Sequence, residues 1–230
     1  MPVNKEIYFK IFEELNNQNI KLVAVSKMQT VQDIQTLYDL GQRDFGENYV
    51  HELVEKQALL PKDIRWHFIG HLQSNKVKYI APFVHLIHTV DSLKLLSQIN
   101  SQAEKNNKII DVLLQLHIAQ EETKFGLDEN ELQVIFTNNV GEIEKHKNIR
   151  INGLMGMASF SDKKEQILSE FQTLNNIFKK YKNQSVSNCD FEILSTGMSD
   201  DYKIAIEAGS TLVRIGSLIF GARPSSSAPK

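Results

Sequence analysis

The amino-acid sequence predicts an α/β fold of the (β/α)8 barrel type (a TIM barrel) in a single domain, on three observations. Eight short apolar or β-branched runs recur along the chain, each followed by a segment whose apolar residues have helical spacing or, at the end, by Ser217-Leu-Ile-Phe-Gly221. No Pro/Gly/Ser-rich linker interrupts them before Pro224-Ser-Ser-Ser-Ala-Pro-Lys230, so residues 1–223 are expected to form the barrel and 224–230 a flexible tail. The first run ends in Ser26-Lys27, not in the glycine-rich phosphate turn that opens a doubly wound sheet. A barrel of this type typically takes about 250 residues, and the chain has 230.

Each element has its own signal. Leu22-Val-Ala-Val-Ser-Lys27 leads to an amphipathic stretch through Ile34, Leu37, Tyr38 and Leu40 that stops at Gly41, a helix-ending glycine. Asp44-Phe-Gly-Glu-Asn48 precedes a helix from Tyr49, and Ile64-Arg-Trp-His-Phe-Ile-Gly70 precedes one over Asn75 to Ile80. His85-Leu-Ile-His-Thr-Val90 is followed by an Asp91-Ser92 cap and a helix from Leu93 to Glu104. Ile109 to His117 leads to a helix near Asp128, and Ile149 to Met155 leads to a long one over Asp162 to Tyr181. Phe191 to Ser195 is followed by a helix from Asp200 to Ala208, and the last strand is Thr211-Leu-Val-Arg-Ile-Gly216.

In such a barrel the C-terminal strand ends face the active site. They carry Lys27, Asn48, His67, Gly70, His117, Met155 and Met157. Lys27 ends an apolar strand, where partial desolvation favours the neutral amine that attacks carbonyls, although a lysine there can also simply extend its head to water. Ser195-Thr196-Gly-Met-Ser199-Asp-Asp201 after the seventh strand, and Arg214-Ile-Gly216-Ser217 at the eighth, stand where barrels hold a ligand phosphate. Arg214 requires a partner that could be a phosphate, a carboxylate or a pyridine nitrogen.

The remaining composition excludes several classes. The net charge of -2 gives no footprint for nucleic acid, and no apolar run approaches the roughly 20 residues of a membrane span. The single cysteine, Cys189, fits a reducing cytoplasm. The histidines are spread over several strands with no clustered carboxylate in the sequence, so no metal site is expected. Neither a P-loop nor a Gly-x-Ser-x-Gly elbow is present.

The ordered set Ala24-Val-Ser-Lys27, Phe45-Gly-Glu-Asn48-Tyr49, Trp66-His-Phe-Ile-Gly-His-Leu-Gln-Ser-Asn-Lys76, Lys124-Phe-Gly126, Gly153-Leu-Met155, Ser195-Thr-Gly-Met-Ser199-Asp-Asp201 and Val213-Arg-Ile-Gly-Ser217 resembles the pyridoxal phosphate homeostasis proteins over nearly the whole chain. Those proteins are related to the barrel domain of bacterial alanine racemase. The resemblance implies the fold type III of pyridoxal 5'-phosphate (PLP)-dependent proteins, with Lys27 forming the internal aldimine. It implies that Ser199, Gly216 and Ser217 bind the phosphate, that Arg214 faces the pyridine nitrogen and that Asn48 lies beside the ring. His67, Thr196 and Met157 complete the expected cofactor-binding set. No catalytic residue is expected: the implied function is intracellular vitamin B6 homeostasis by a monomer, with PLP and PLP-dependent apoenzymes as partners. A weak amino-acid racemase and a cofactor-free Schiff-base aldolase are the alternatives. Met28-Gln29-Thr30 stands where many members have Thr-Lys-Pro, His117 where asparagine is frequent, and Ser217 keeps the hydroxyl of a common threonine.

Overall fold

The computed structural model describes residues 3–120, 125–182 and 186–221. The expected tail at 224–230 and Lys124 of the Lys124-Phe-Gly126 motif lie outside the described residues. Eight parallel strands close in sequence order into a barrel: β1 (Lys21–Val25), β2 (Asp44–Glu47), β3 (Arg65–Phe68), β4 (Leu86–Val90), β5 (Ile110–Leu116), β6 (Ile149–Gly156), β7 (Cys189–Ser195) and β8 (Leu212–Ile215). Closure comes from β1 pairing with β8 at Val23↔Arg214 and Ala24↔Ile215.

The helices are α1 (Lys5–Asn16), α2 (Val31–Asp39), α3 (Val50–Leu59), α4 (Val77–Ile80), α5 (Leu93–Lys105), α6 (Glu129–Thr137), α7 (Val140–Ile143), α8 (Lys164–Lys182), α9 (Tyr202–Glu207) and α10 (Ser217–Phe220). Side chains cap their starts. Ser92 accepts a hydrogen bond from the Leu95 N–H, and Asp128 forms a reciprocal capping box with Glu131. The long helix expected from Asp162 opens instead at Lys164, because Ser161 accepts from the Lys163 N–H in the preceding loop. The segment expected as one helix to Ile80 splits into a 3-10 turn, Ser74–Lys76, and α4.

The sequence reading did not anticipate α1. This helix buries Tyr8, Ile11 and Leu15 along one stripe and lies against β1 and α10. The Asn4 N–H donates to the Ile219 carbonyl at 2.8 Å, fastening the residue before α1 to α10. Since α10 spans only four residues, α1 supplies the cover that an eighth full helix would give β8 and β1.

Side chains alternate along the strands. Ala24, Phe45, Trp66, Phe68, Ile87 and Val112 face outward into the main apolar core between sheet and helices. Leu86, Leu113 and Met155, with Met157 and Ile193, form a separate cluster inside the barrel. At Gly153, with φ of 142°, an added Cβ would stand 2.0 Å from the Ile193 carbonyl oxygen, so only glycine permits the register shift between β6 and β7 there.

Candidate functional site

Lys27 sits two residues past β1, in a turn held from behind by charge. The Ser26 hydroxyl donates to Glu47 Oε1 at 2.6 Å, and the Lys56 ammonium donates to the Ser26 carbonyl, Glu47 Oε1 and Glu52 Oε1 at 2.7, 2.8 and 2.6 Å. Met28, next after Lys27, has φ of 61°, a conformation unfavourable for a residue with a Cβ. Its N–H donates to Glu52 Oε1, so the same cluster that grips Ser26 holds the strained residue. Burial pushes the Glu47 carboxyl up to about 7, against the opposing pull of Lys56 and the Ser26 hydroxyl. Its second oxygen is buried and has no hydrogen-bond partner among the described residues.

The loop after β7 is stitched to β8. The Arg214 N–H donates to the Gly197 carbonyl at 3.0 Å and the Gly216 N–H donates to Ser199 Oγ at 3.2 Å. Gly197 has φ of 83° and packs so closely on α9 that a Cβ would approach the Ala205 Cβ to 2.6 Å. Gly216 in turn touches β1, where an added Cβ would lie 3.1 Å from the Val25 carbonyl oxygen. Ser199, Gly216 and the turn bearing Lys27 therefore share the C-terminal face of the β7–β8–β1 sector. Ser217 is exposed at the opening of α10, whose first N–H groups have no acceptor within the helix.

Arg214 is 3% exposed inside the barrel. It donates to the Ser195 carbonyl at 2.8 Å, to Ser195 Oγ at 2.7 Å and to the Gly156 carbonyl at 3.2 Å. Burial lowers its pKa to about 10, with Asp201 opposing the shift, so the guanidinium stays cationic at neutral pH. Among the described residues two buried polar atoms just past strand ends have no hydrogen-bond partner: Asn48 Oδ1, after β2, and Thr196 Oγ1, after β7. Such atoms are costly unless a ligand or water meets them. Met157 lines a cavity of about 560 Å3 past the end of β6, together with Ser159, Phe160, Met198 and Asp201. The stacked rings of His71 and Phe125, with centroids 4.2 Å apart, join the loops after β3 and β5 on this face.

His67 departs from expectation. Its Nε2 pairs with Asp44 Oδ1 at 3.0 Å, and it lines a cavity at the N-terminal mouth with Lys21, Asp44, Arg65, His85 and Leu212, the residues that open their strands or lie beside the openings. The strand β3 is short, so the third residue of the run still hangs inside the barrel near its N-terminal end; His67 does not join the loops that carry Lys27 and Ser199. The absence of a carboxylate beside the histidines is corrected as well. Asp44 on β2, His67 on β3 and His85 just before β4 bring possible ligand atoms within 4.8 Å of one another. Arg65 saturates that carboxylate, donating from Nε at 2.7 Å and from NH2. Sequence reasoning also missed Ser26, Glu47, Glu52 and Lys56, of which Glu47 stands inside the motif Phe45-Gly-Glu-Asn48 and carries the readable signal of an acidic residue in an apolar strand.

Comparison with known proteins follows the same geometry. A family model, alanine racemase N-terminal domain, matches residues 9–224. The pyridoxal phosphate homeostasis protein of Pasteurella multocida is 39% identical over 207 residues, 89% of this chain and 87% of that relative. The protein of that name from Schizosaccharomyces pombe is 37% identical over 218 residues, 94% and 89% of the two chains. Among solved structures, PipY of Synechococcus elongatus PCC7942 is 30% identical and covers 91% of this chain and 98% of its own; it superposes with a TM-score of 0.83 without PLP and 0.81 with PLP bound. An alanine racemase from Streptomyces coelicolor superposes at 0.70 with 15% identity, a likeness of fold alone.

Proposed function

The chain belongs to the alanine racemase N-terminal domain family and, within it, to the pyridoxal phosphate homeostasis proteins; from that premise we propose that it binds PLP through Lys27 and buffers it for PLP-dependent apoenzymes. The observation that carries this reading is the meeting of the Lys27 turn with the Ser199–Gly216 stitch on one sector of the C-terminal face. Asn48 Oδ1 and Thr196 Oγ1, buried without partners among the described residues, add the polar atoms that an incoming ligand would satisfy.

Bound PLP supplies an aldehyde that bonds reversibly to an amine and a ring able to draw electrons from an attached carbon. Lys27 offers the amine. Ser199, Gly216 and Ser217 offer hydroxyl and backbone donors to the phosphate, where helix N–H groups point outward. Asn48 would flank the ring, Thr196 would offer its hydroxyl to the cofactor, and Met157 borders the adjoining cavity. Arg214 would face the pyridine nitrogen with a cation that holds its protons firmly, which would keep the nitrogen unprotonated and the ring a weak electron sink. Holding the aldehyde masked follows from that arrangement better than racemisation does. The protein works as a monomer in the cytoplasm; among the described residues no helix is long and apolar enough to cross a membrane.

Titration with PLP followed in the visible range, then incubation of the loaded protein with L-alanine or L-serine, tests this. Saturable uptake with unchanged optical rotation is expected. Loss of rotation that depends on Lys27 would make the protein a racemase.

A further inference from the structure

A continuous line of side chains, half-buried at Asp44 and buried from His67 onward, runs through the barrel between its two mouths. Asp44 Oδ1 meets His67 Nε2 at 3.0 Å, His67 Nδ1 meets His88 Nε2 at 2.9 Å, His88 Nδ1 meets Ser195 Oγ at 3.0 Å, and Ser195 Oγ meets the Arg214 guanidinium at 2.7 Å. His88 and Ser195 are fully buried and His67 is 2% exposed, so the three have no bulk water to replace these bonds. The line crosses β2, β3, β4, β7 and β8 and is separate from the apolar cluster of Leu86, Leu113 and Met155 that fills the rest of the interior.

The proton positions along it follow from one end. Asp44 is paired through both oxygens with Arg65, and although burial opposes ionisation, the bonds from Arg65 and His67 hold its carboxyl below the ordinary range. An ionised carboxylate only accepts, so His67 Nε2 carries a proton and its Nδ1 accepts from His88 Nε2–H. His88 Nδ1 is then an acceptor, and takes the Ser195 hydroxyl proton. Ser195 Oγ is left with lone pairs for the Arg214 N–H. Every bond has one donor and one acceptor. The reverse order fails at Ser195: its oxygen would face donors from both His88 and Arg214, leaving its own proton without an acceptor. Burial lowers the pKa of both histidines, which keeps each imidazole neutral and each role fixed.

We propose that Asp44, at the mouth opposite the PLP site, is a positioning residue for Arg214, locking the tautomers of His67 and His88 and through Ser195 the orientation of the guanidinium. Its link to PLP rests on the function proposed above; its proton order does not. Without Asp44, His67 can adopt either tautomer, His88 follows, and Ser195 can turn its proton toward other acceptors. Arg214 then keeps its backbone bonds to Ser195 and Gly156 but loses one of the contacts that aims it.

Nitrogen-15 NMR of the full chain, labelled at histidine and arginine and free of cofactor, reads this without PLP. The expected result is neutral Nε2–H tautomers for His67 and His88, with slowly exchanging Arg214 side-chain signals. Asp44→Ala should mix the tautomers and broaden Arg214, whereas Asp111→Ala, which removes a comparable strand-start carboxylate paired with Arg150, should not. Ser195→Ala should release Arg214 with the histidines still ordered, and Ser195→Thr should restore it. In PLP-loaded protein, Asp44→Ala should shift the visible band and weaken PLP binding roughly tenfold, about 1.4 kcal/mol. Histidine tautomers unchanged in Asp44→Ala, or mixed tautomers with Arg214 and the bound-PLP spectrum unmoved, would overturn the proposal. A protein that keeps the locked order but takes up no PLP would instead remove the function proposed above and leave the relay standing.

Discussion

Glu47 is the residue on which the Lys27 turn rests, and its chemistry makes a pH signature. Its carboxyl is raised to about 7 in the fold from an ordinary 4.5, chiefly by burial. Between those values the folded chain binds more protons than the unfolded chain, so this group's contribution to stability falls as pH rises and is lost through the folded value. Glu47→Gln keeps the shape and removes the titration. Denaturant midpoints measured between about pH 5 and 8 should therefore converge at the acid end and separate toward the alkaline end, with the wild type the less stable there. Parallel curves would mean that Glu47 stays ionised throughout and that Lys56 compensates its burial in full. This cluster was hard to read from sequence because Ser26, Glu47, Glu52 and Lys56 come from a loop, a strand and one helix. Only Glu52 and Lys56 show the four-residue spacing that marks partners on a helix face.

At the scale of elements, the strands were legible because their residues are apolar and β-branched, and the helix starts because Ser92 and Asp128 announce caps. Strand parity was legible too. Counting by twos within a strand puts Arg214 with Gly216 at β8 and His88 with the inward-facing Leu86 on β4. Which of those residues touch was not legible, since closure of the sheet brings β7 and β4 within reach across the barrel. Close backbone approaches are equally invisible in sequence. Gly70 is such a place: an added Cβ would stand 2.1 Å from the Asn48 carbonyl oxygen, so Gly70→Ala must move the backbone that aims Asn48. We expect it to cost at least the ~1–3 kcal/mol typical of overpacking and to weaken PLP binding along with the unfolding midpoint. Gly41→Ala, where only the positive φ is violated and nothing lies within 4 Å, should cost about 1 kcal/mol and leave binding intact. Equal effects on binding at the two positions would contradict the role given to the Gly70–Asn48 contact.

For the whole molecule the barrel was predictable and its cover by α1 was not. The helix presents Phe9 and Phe12 to solvent, half and two-fifths exposed, beside its buried Tyr8, Ile11 and Leu15. Aromatic residues on both faces blur the single stripe that announces an amphipathic helix. Leu15→Ala tests whether α1 is part of the fold's cover. Removing a fully buried leucine costs about 2–5 kcal/mol, which for a chain of this size lowers the thermal midpoint by roughly 5–15 °C. An unchanged midpoint would show that β8 and β1 are held without it.

The central claim concerns Lys27. Purified protein loaded with PLP, reduced with borohydride, digested and analysed by peptide mass spectrometry reads it directly, with Lys27→Ala alongside. The account predicts a yellow protein whose pyridoxyl group maps to Lys27, with colour and adduct both lost in the variant. An adduct confined to other lysines, or none at all, would contradict it.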